Sequence, residues 1–318
     1  MAVRPVTSKG FRTTRPPRGP HGNRFERGHP RADTSDDGIP IDEKRVYGAK
    51  TGTTAVFVAT GAGLARVEVS DDLVGEFGLV HRGGVRDVAG SEGRLAVATD
   101  DVRLGTGDAF RPTGFGPAAA VGWHEGALHA AGGGRVARFD PDGDPTAGEA
   151  DDPVAGDWTT RCELPDVRAL VGGMVAAAEG LFRLDGTHLG LADARDAAPD
   201  VPLAATGDGL YYLGNGWMDA LPGDFRAVAA APDGRAHAAT PDALHVRAPD
   251  ADGYGPDAWA AADLPVPGRV VDVAHGPDAT YAVTAEGTVL ANAGDGWRDR
   301  SVGLPDVRRL AVPGVTLD

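Results

Sequence analysis

The feature that most constrains this chain is a unit of about 37 residues that recurs along most of its length. The stretch "VRDVAGSEGRLAVATDDVRLGTGDAF" at 85–110 returns in altered form as "VRALVGGMVAAAEGLFRLDG", "FRAVAAAPDGRAHAATPDALHV" and "VVDVAHGPDATYAVTAEGTVLANAGDGW". Each unit has a first strand, a turn with Gly or Asp-Gly, a second strand of small apolar residues and a short third strand. A GDGW-like turn and a less regular fourth strand often follow. The pattern predicts repeated four-stranded β-sheets.

The number of units indicates the architecture. The opening of a unit is the start of its first strand. Openings occur near Val46, Val85, Ala118, Val167, Ala194, Phe225 and Val270, with an eighth at Val307. The repeat length is close to the roughly 40–45 residues of a four-stranded propeller blade. We therefore predict an all-β propeller of seven blades. Six blades are the alternative, because the two units that begin at Val167 and Ala194 are short. Two long units carry their extra residues in loops, at 141–157 and 248–263.

The eighth opening predicts how the ring closes. A propeller whose two ends only pack together would expose strand edges, and such edges favour aggregation. If "VRRLAV" at 307–312 pairs with the blade built from 54–80, both ends of the propeller share one sheet. Residues 45–50 are then either the first strand of that blade or an outer strand of the last one, and the sequence leaves this open.

The first 40 residues differ from the rest of the chain. They contain seven arginines and six prolines and show no hydrophobic periodicity. Such a segment cannot bury enough apolar surface to offset the entropy of ordering, so we predict a disordered basic tail at 1–40 and a propeller domain at 41–318. The tail is either an arm that contacts nucleic acid or an acidic partner, or an inert extension, or the product of a start site assigned too far upstream.

Charge composition points to a salt-rich cell. The net charge is −15, and lysine occurs only at Lys9, Lys44 and Lys50. An acidic surface with almost no lysine resembles proteins of salt-accumulating halophilic archaea, where screening weakens self-repulsion. A specific acidic binding surface is the alternative. The negative charge argues against nucleic-acid binding outside the tail. We expect a cytoplasmic protein, since there is no apolar span or signal segment and Cys162 is the sole cysteine.

A family resemblance adds to this reading. "IDEKRVYGAKTGTTAVFVATGAGLARVEVSDDLVGEFGLV" at 41–80 and "GLPDVRRLAVP" near the end resemble an uncharacterised haloarchaeal β-propeller family. The resemblance covers about 41–318 and implies a propeller fold and a haloarchaeal source, but no activity or catalytic residues. The turns "TGDAF", "GNGW" and "AGDGW" at 106–110, 214–217 and 293–297 are similar to degenerate Asp-box turns of sialidase-like propellers, in which the box is structural.

The best candidate site is a ring of arginines at the second position of the first strand in five units. These are the candidates for channel lining and anion binding: Arg86, Arg168, Arg195, Arg226 and Arg308. Guanidinium groups bind phosphate or carboxylate through paired hydrogen bonds. The alternative, which we favour, is that each arginine pairs with an Asp on a neighbouring blade. Asp87, Asp196 and Asp272 follow at the third position and are expected to face away from the axis if the strand is regular.

Other groups carry weaker signals. Two Asp-Gly loops offer clustered carboxylates that could hold Ca²⁺, but without a glutamate at the twelfth position a solvated loop is favoured; their acids are Asp140, Asp142, Asp144, Asp250 and Asp252. His124-Glu125 is expected to form a turn rather than an acid–base pair. Cys162 is expected to be a packed side chain. Trp158, Trp217 and Trp297 are expected to pack between blades rather than form an aromatic binding rim.

These observations favour a non-enzymatic binding or scaffold protein, because stacked blades give a rigid ring whose loops and channel are open to partners. We expect no cofactor, and a protein or a small anion as partner at the propeller face or channel. The alternative is a sialidase- or lactonase-like hydrolase with its site in the central channel. Asparagine, a lactonase metal ligand, occurs only at Asn23, Asn215 and Asn292, and no sialidase motif surrounds the arginines.

Overall fold

The computed structural model describes residues 52–149 and 152–314, which form seven four-stranded antiparallel sheets. The first strands of the sheets contact one another in cyclic order around a central axis, so the sheets are the blades of a seven-bladed propeller. The predicted fold class is confirmed, and so is the seven-blade count. The prediction for the tail at 1–40 lies outside the described residues. Within the described part, no helix is long and apolar enough to cross a membrane.

The strands follow the chain blade by blade. Blade 1 contains β1 (Thr54–Thr60), β2 (Gly63–Ser70) and β3 (Leu73–Arg82), and blade 2 contains β4 (Asp87–Ser91), β5 (Arg94–Ala98), β6 (Val102–Gly105) and β7 (Phe110–Pro112). Blade 3 contains β8 (Ala120–His124), β9 (Ala127–Gly132), β10 (Arg135–Pro141) and β11 (Gly156–Glu163). Blade 4 contains β12 (Val167–Val171), β13 (Met174–Ala177), β14 (Gly180–Arg183) and β15 (His188–Gly190).

Blades 5 to 7 continue the same order, and the last strand returns to blade 1. Blade 5 contains β16 (Ala194–Ala198), β17 (Leu203–Thr206), β18 (Gly209–Leu213) and β19 (Trp217–Pro222). Blade 6 contains β20 (Ala227–Ala230), β21 (Ala236–Ala239), β22 (Leu244–Arg247) and β23 (Trp259–Ala261), with a 3₁₀ helix at Pro256–Ala258 directly before β23. Blade 7 contains β24 (Val270–His275), β25 (Thr280–Thr284), β26 (Thr288–Asn292) and β27 (Arg298–Ser301), and β28 (Val307–Ala311) follows it.

The ring is closed by the C-terminal strand, as the sequence predicted. β28 is the innermost strand of blade 1 and pairs antiparallel with β1, with Val58 opposite Leu310. The strand closest to the C-terminus therefore lies in the same sheet as the first described strands. The first-strand position of this blade belongs to β28, while residues 45–50 lie outside the described part of the chain.

A β-bulge at the start of four of the seven first strands reverses the expected direction of their side chains. In blade 5, Ala194 faces Thr206 and Asp196 faces Ala205, which leaves Arg195 as the extra residue. The same shift occurs around Arg168, Val271 and Arg308. One extra residue changes which face the following side chains occupy. The residue after the bulge therefore points towards the axis.

Small side chains let the blades pack closely. The buried positions of the second strands are mostly alanine and valine, as in "LAVA" of β5 and "AHAA" of β21. Core clusters bridge neighbouring blades; one joins Ala169 and Leu181 of blade 4 to Ala204 of blade 5. Burying these apolar surfaces stabilises the ring and holds the first strands around the axis.

Candidate functional site at the propeller axis

Four charged side chains meet at the axis of the ring. Each comes from the third position of a unit, on the first strand of its blade: Asp87 on β4, Asp196 on β16, Asp272 on β24 and Arg309 on β28. The matching residues of the other three blades are Ala120, Ala169 and Ala227. Alanine leaves space beside the axis, and the charged side chains extend into that region. We refer to the four charged residues as the axial cluster.

Arg309 is the centre of the axial cluster. Its Nη1 lies 3.2 Å from Asp196 Oδ2 and 3.5 Å from Asp272 Oδ1, and its Nε lies 3.7 Å from Asp87 Oδ1. The three carboxylates are almost completely buried, and the Arg309 side chain is 16% exposed. The guanidinium group is planar and presents several donors, so it can serve carboxylates that come from different blades.

The carboxylates also join each blade to the next one. The backbone N–H of Val121 in blade 3 donates to Asp87 Oδ2 at 2.9 Å. In the same way, the N–H of Val228 donates to Asp196 at 3.0 Å, and the N–H of Leu310 donates to Asp272 at 2.8 Å. Each bond crosses from one first strand to the first strand of the following blade. The axial cluster is therefore part of the frame of the propeller.

Burial perturbs the acids of the axial cluster. Loss of solvation raises the pKa of Asp87 from 3.8 to about 6, although Arg309 and two backbone N–H groups act in the opposite direction. Burial also raises the pKa of Asp272, and the nearby Asp196 carboxylate adds to this. Three acids share one cation, so the neutral form of a carboxyl is favoured more than usual here.

The axial cluster lies at the base of a cavity of 610 Å³. The cavity opens on the end of the propeller formed by the turns between first and second strands, which include Gly172, Pro199, Pro232 and Pro277. We call this end the hairpin face. The opposite end, where the first strands begin, is the strand-start face.

A histidine pair borders the cavity at the hairpin face. His237 Nδ1 and His275 Nε2 are 2.9 Å apart and share a hydrogen bond, while His275 Nδ1 is buried without a hydrogen-bond partner in the described part of the chain. Burial lowers the pKa of His237 to about 3 and that of His275 to about 4. Both rings are therefore neutral at pH 7, and the pair adds no positive charge to the cavity.

The five arginines of the sequence-based ring lie at the strand-start face and carry carboxylate partners. Arg168 bonds to Asp193 at 2.6 Å, and Arg195 bonds to Asp193 at 3.1 Å and also to Asp224. The remaining three pair with nearby acids: Arg226 with Asp224 at 3.0 Å, Arg308 with Asp306 at 2.6 Å and Arg86 with Asp100 at 3.2 Å. Arg168 and Arg195 thus connect blades 4, 5 and 6. Anion binding by this ring stays a prediction.

The expected direction of the aspartates at the third position is wrong. Asp87, Asp196 and Asp272 were expected to face away from the axis, but they lie in the axial cluster. The expectation assumed a regular alternation of side chains along the strand. In blades 5 and 7 a bulge at the second position inserts one residue and shifts the alternation.

Sequence reasoning did not single out Arg309 or the axial cluster. A signal was available in the aligned openings. The third position of the unit is alanine in three units and a charged residue in the other four. The same position therefore accepts both small side chains and long charged ones. Such a position has space around it, as the centre of a ring does.

The weaker candidates have structural surroundings. In residues 52–149 and 152–314, no group of three or more His, Cys, Asp or Glu side chains is placed to hold a metal ion. Asp140 pairs with Arg138 at 3.1 Å, and Asp144 accepts hydrogen bonds from the backbone and hydroxyl of Thr146. The other three acids of these loops are Asp142, Asp250 and Asp252. Binding of Ca²⁺ by these loops stays a prediction.

Packing explains the tryptophans and the cysteine. Trp158, Trp217 and Trp297 each contact a core cluster shared by two blades. Cys162 is partly buried against the cluster between blades 3 and 4, and burial raises the pKa of its thiol. Glu125 forms the turn after β8, and its carboxylate lies 4.0 Å from His124 Nε2.

Seven four-stranded blades around a buried charged axis define a β-propeller protein. A family model described as "Beta-prop_HVO_0234-like, beta propeller" matches residues 40–313. The chain belongs to this β-propeller family, and the resemblance to haloarchaeal propellers is confirmed. No curated protein matches the chain.

Solved structures are similar to this chain at low sequence identity. The extracellular domain of the putative one component system BT4673 from B. thetaiotaomicron is 9% identical, with a TM-score of 0.54, over 74% of this chain and 38% of that one. AztD from Citrobacter koseri is 13% identical, with a TM-score of 0.46, over 80% of this chain and 83% of that one. The chain thus spans less than half of the first of these proteins. At 9% identity, the similarity to the BT4673 domain concerns the fold alone.

Proposed function

We propose that this protein is a non-enzymatic binding platform that docks a protein partner on its hairpin face. The observation that carries the proposal is the state of the axial cluster. Every carboxylate in it pairs with Arg309 and also accepts a backbone N–H from the next blade. Groups used in this way hold the ring together, and a catalytic group has to be free to bind or exchange protons with a substrate.

The hairpin face supplies the surface for docking. It contains the axial cavity of 610 Å³ and a second cleft of 720 Å³, and Gly172 and Pro199 line both. Loops on a rigid scaffold are common positions for binding residues. The strand-start face differs, because its arginines are engaged with Asp193, Asp224 and other acids.

The alternative is a propeller hydrolase with its site in the axial cavity. The raised pKa of Asp87 supports it, because acids with perturbed pKa values are common in active sites. Structural ion pairs perturb pKa values as well. The backbone hydrogen bonds of the same carboxylates favour that explanation.

Affinity purification from a haloarchaeal lysate at molar KCl tests the proposal with three baits. The first is the unmodified protein. The second is Asp200→Lys/Asp278→Lys, which changes two exposed residues beside the turns of the hairpin face. The third is the matched control Asp100→Lys/Asp263→Lys, which makes the same change in charge at exposed residues elsewhere.

We expect the unmodified protein and the control to capture the same partner and the hairpin-face variant to lose it. Direct binding of the recombinant partner then completes the test. The proposal is wrong if the two variants lose the partner equally. It is also wrong if the unmodified protein hydrolyses lactone or sialoside substrates and Asp272→Asn abolishes this turnover.

A further inference from the structure

A second cleft, which shares Gly172 and Pro199 with the lining of the axial cavity, lies between blades 3 and 4 and reaches blade 5. Its volume is 720 Å³, within the roughly 300–1,000 Å³ range of small-molecule sites. One part of its lining is basic, with Arg138, Arg161 and Arg183, and another part is apolar, with Leu213 and Trp217. We call it the inter-blade cleft.

The strands of blade 3 direct two of the arginines to the cleft. Arg138 on β10 is directly opposite His129 on β9, so their side chains share one face of the sheet. Arg161 on β11 is the extra residue of a β-bulge, since Val136 faces Cys162 and Ala137 faces Thr160. A bulge changes the direction of a side chain and is frequent beside functional sites.

Two of the three arginines form no ion pair within 4.0 Å in the part of the chain that the structure describes. The side chains of Arg161 and Arg183 form no ion pair or hydrogen bond within the described residues, whereas Arg138 pairs with Asp140. Most arginines of the propeller are bonded to carboxylates or carbonyl groups. In a chain with a net charge of −15, two arginines that form no ion pair within the described residues share this one cleft.

Two acids, Glu125 and Asp185, line the cleft beside its three arginines. Asp185 accepts a hydrogen bond from the backbone N–H of Thr187 at 2.9 Å, and its bonds to Thr187, together with the nearby charge of Arg183, lower the pKa of its carboxyl. Glu125 lies beside His124. His129 is buried, and this burial lowers its pKa to about 4, so the ring is neutral at pH 7 and the positive charge comes from the arginines.

The apolar part of the cleft is held in place. The indole N–H of Trp217 donates to the Leu189 carbonyl at 2.8 Å, which fixes the ring. Leu213 is 48% exposed, an unusual exposure for a large aliphatic side chain in this protein. A ligand that fits both parts has an anionic end and an apolar or aromatic end.

We propose that the inter-blade cleft binds a small phosphate monoester, with its phosphate between Arg161 and Arg183 and its apolar group against Trp217 and Leu213. Phosphate has the geometry and charge to accept paired hydrogen bonds from guanidinium groups. The proposal goes beyond docking of a partner on the hairpin face, and either one can fail without the other.

Calorimetric titration of the full chain in about 2 M KCl tests the proposal, at a salt concentration that screens unspecific attraction. The probes are phenyl phosphate, benzoate and phenol, which share a ring and differ in the attached group. We expect phenyl phosphate to bind and phenol not to bind, with benzoate weaker than phenyl phosphate.

Variants locate the site. Arg161→Gln/Arg183→Gln should weaken the binding of phenyl phosphate by at least about tenfold. The matched control is Arg82→Gln/Arg269→Gln, which removes two exposed arginines that also form no ion pair in the described residues. It should bind as the unmodified protein does, and both variants should keep the melting temperature.

Three results would overturn the proposal. The first is that the unmodified protein fails to bind phenyl phosphate. The second is that the control loses as much affinity as the cleft variant does, and the third is that phenol binds as tightly as phenyl phosphate. Retention of the partner by the cleft variant in the affinity purification would show that the two sites are independent.

Discussion

At the scale of single residues, we expect Arg309 to contribute most to the stability of the ring. It is the one cation of the axial cluster, and its guanidinium group reaches carboxylates from blades 2, 5 and 7. Removing one partner from a buried ion pair is costly, because the remaining charge loses both water and its counter-ion. The neighbouring Arg308 is exposed and pairs with Asp306 at the surface, where ion pairs contribute little.

We expect Arg309→Met to lower the free energy of unfolding by about 3–5 kcal/mol, because it leaves three buried carboxylates without a cation. Arg308→Met is the matched control and should change this free energy by less than about 1 kcal/mol. Thermal and denaturant unfolding in molar KCl measure both. Equal effects of the two substitutions would show that the axial cluster does not hold the ring.

The acids of the axial cluster also predict a dependence on pH. The pKa of Asp87 is about 6 in the folded protein and 3.8 in its ordinary state. Between these values the folded state binds more protons at this site than the unfolded chain does. The contribution of Asp87 to stability therefore falls as the pH rises through this window. His129, His237 and His275 have lowered pKa values and act in the opposite direction.

A difference measurement isolates Asp87 from the histidines. Asp87→Asn removes the titrating carboxyl and keeps an oxygen that can accept the Val121 N–H. We expect the stability of the unmodified protein relative to this variant to increase as the pH is lowered from about 8 to about 5. Melting curves of both proteins at constant KCl measure it. A constant difference across this range contradicts the raised pKa.

At the scale of elements, β28 completes blade 1 from the far end of the chain. Its pairing with β1 gives the blade its inner strand and places Arg309 at the axis. Without β28, the edge of β1 would be exposed towards the channel, and an unpaired strand edge favours aggregation.

Deletion of 307–318 should abolish cooperative unfolding or cause aggregation, because blade 1 loses its inner strand. Deletion of 315–318 is the control, since it leaves β28 intact. Calorimetry and light scattering at equal salt compare the two truncated proteins with the parent. If the longer deletion melts like the parent, β28 does not close the ring.

The arginines at the second position of the units predict a second effect at this scale. Arg195 lies between Asp193 and Asp224, while Arg86 pairs with the exposed Asp100. We expect Arg195→Glu to destabilise the protein by more than Arg86→Glu does, because it places three acids together. Unfolding and anion titration of both variants distinguish the two roles considered for the five arginines, ion pairing and anion binding. Intact folding with lost anion binding would favour a binding site.

At the scale of the whole molecule, charge dominates. A net charge of −15 on 318 residues repels itself at low ionic strength, and screening at molar salt removes most of this cost. The ion pairs of the strand-start face and of the axial cluster offset part of the repulsion locally. They do not change the net charge.

The melting temperature should rise steeply between about 0.1 M and about 2 M KCl, because screening acts on repulsion across the entire surface. Sucrose is the control, since it stabilises proteins by exclusion and does not screen charges. We expect sucrose, added at low salt, to raise the melting temperature by only a part of the increase that KCl produces. A flat profile in KCl would contradict adaptation to high salt.

The repeat in the sequence was sufficient to predict seven blades and closure by the C-terminal strand. Both depend on local patterns, namely the alternation within strands, the Gly turns and the spacing of the openings. The turns near residues 106, 214 and 293 were also predicted in the right place, between the third and fourth strands. The packing of the tryptophans followed from their recurrence at equivalent turns.

The functional surfaces needed the tertiary structure. One extra residue at a bulge decides whether Arg195 or Asp196 faces the axis, and a bulge leaves no clear mark in a single sequence. The axial cluster joins residues 87, 196, 272 and 309, which are far apart along the chain and meet only when the ring closes. The inter-blade cleft likewise depends on the bulge at Arg161 and on the contact between two blades. Local patterns determine strands, whereas the direction of a side chain and its distant neighbours are determined by how the strands pack.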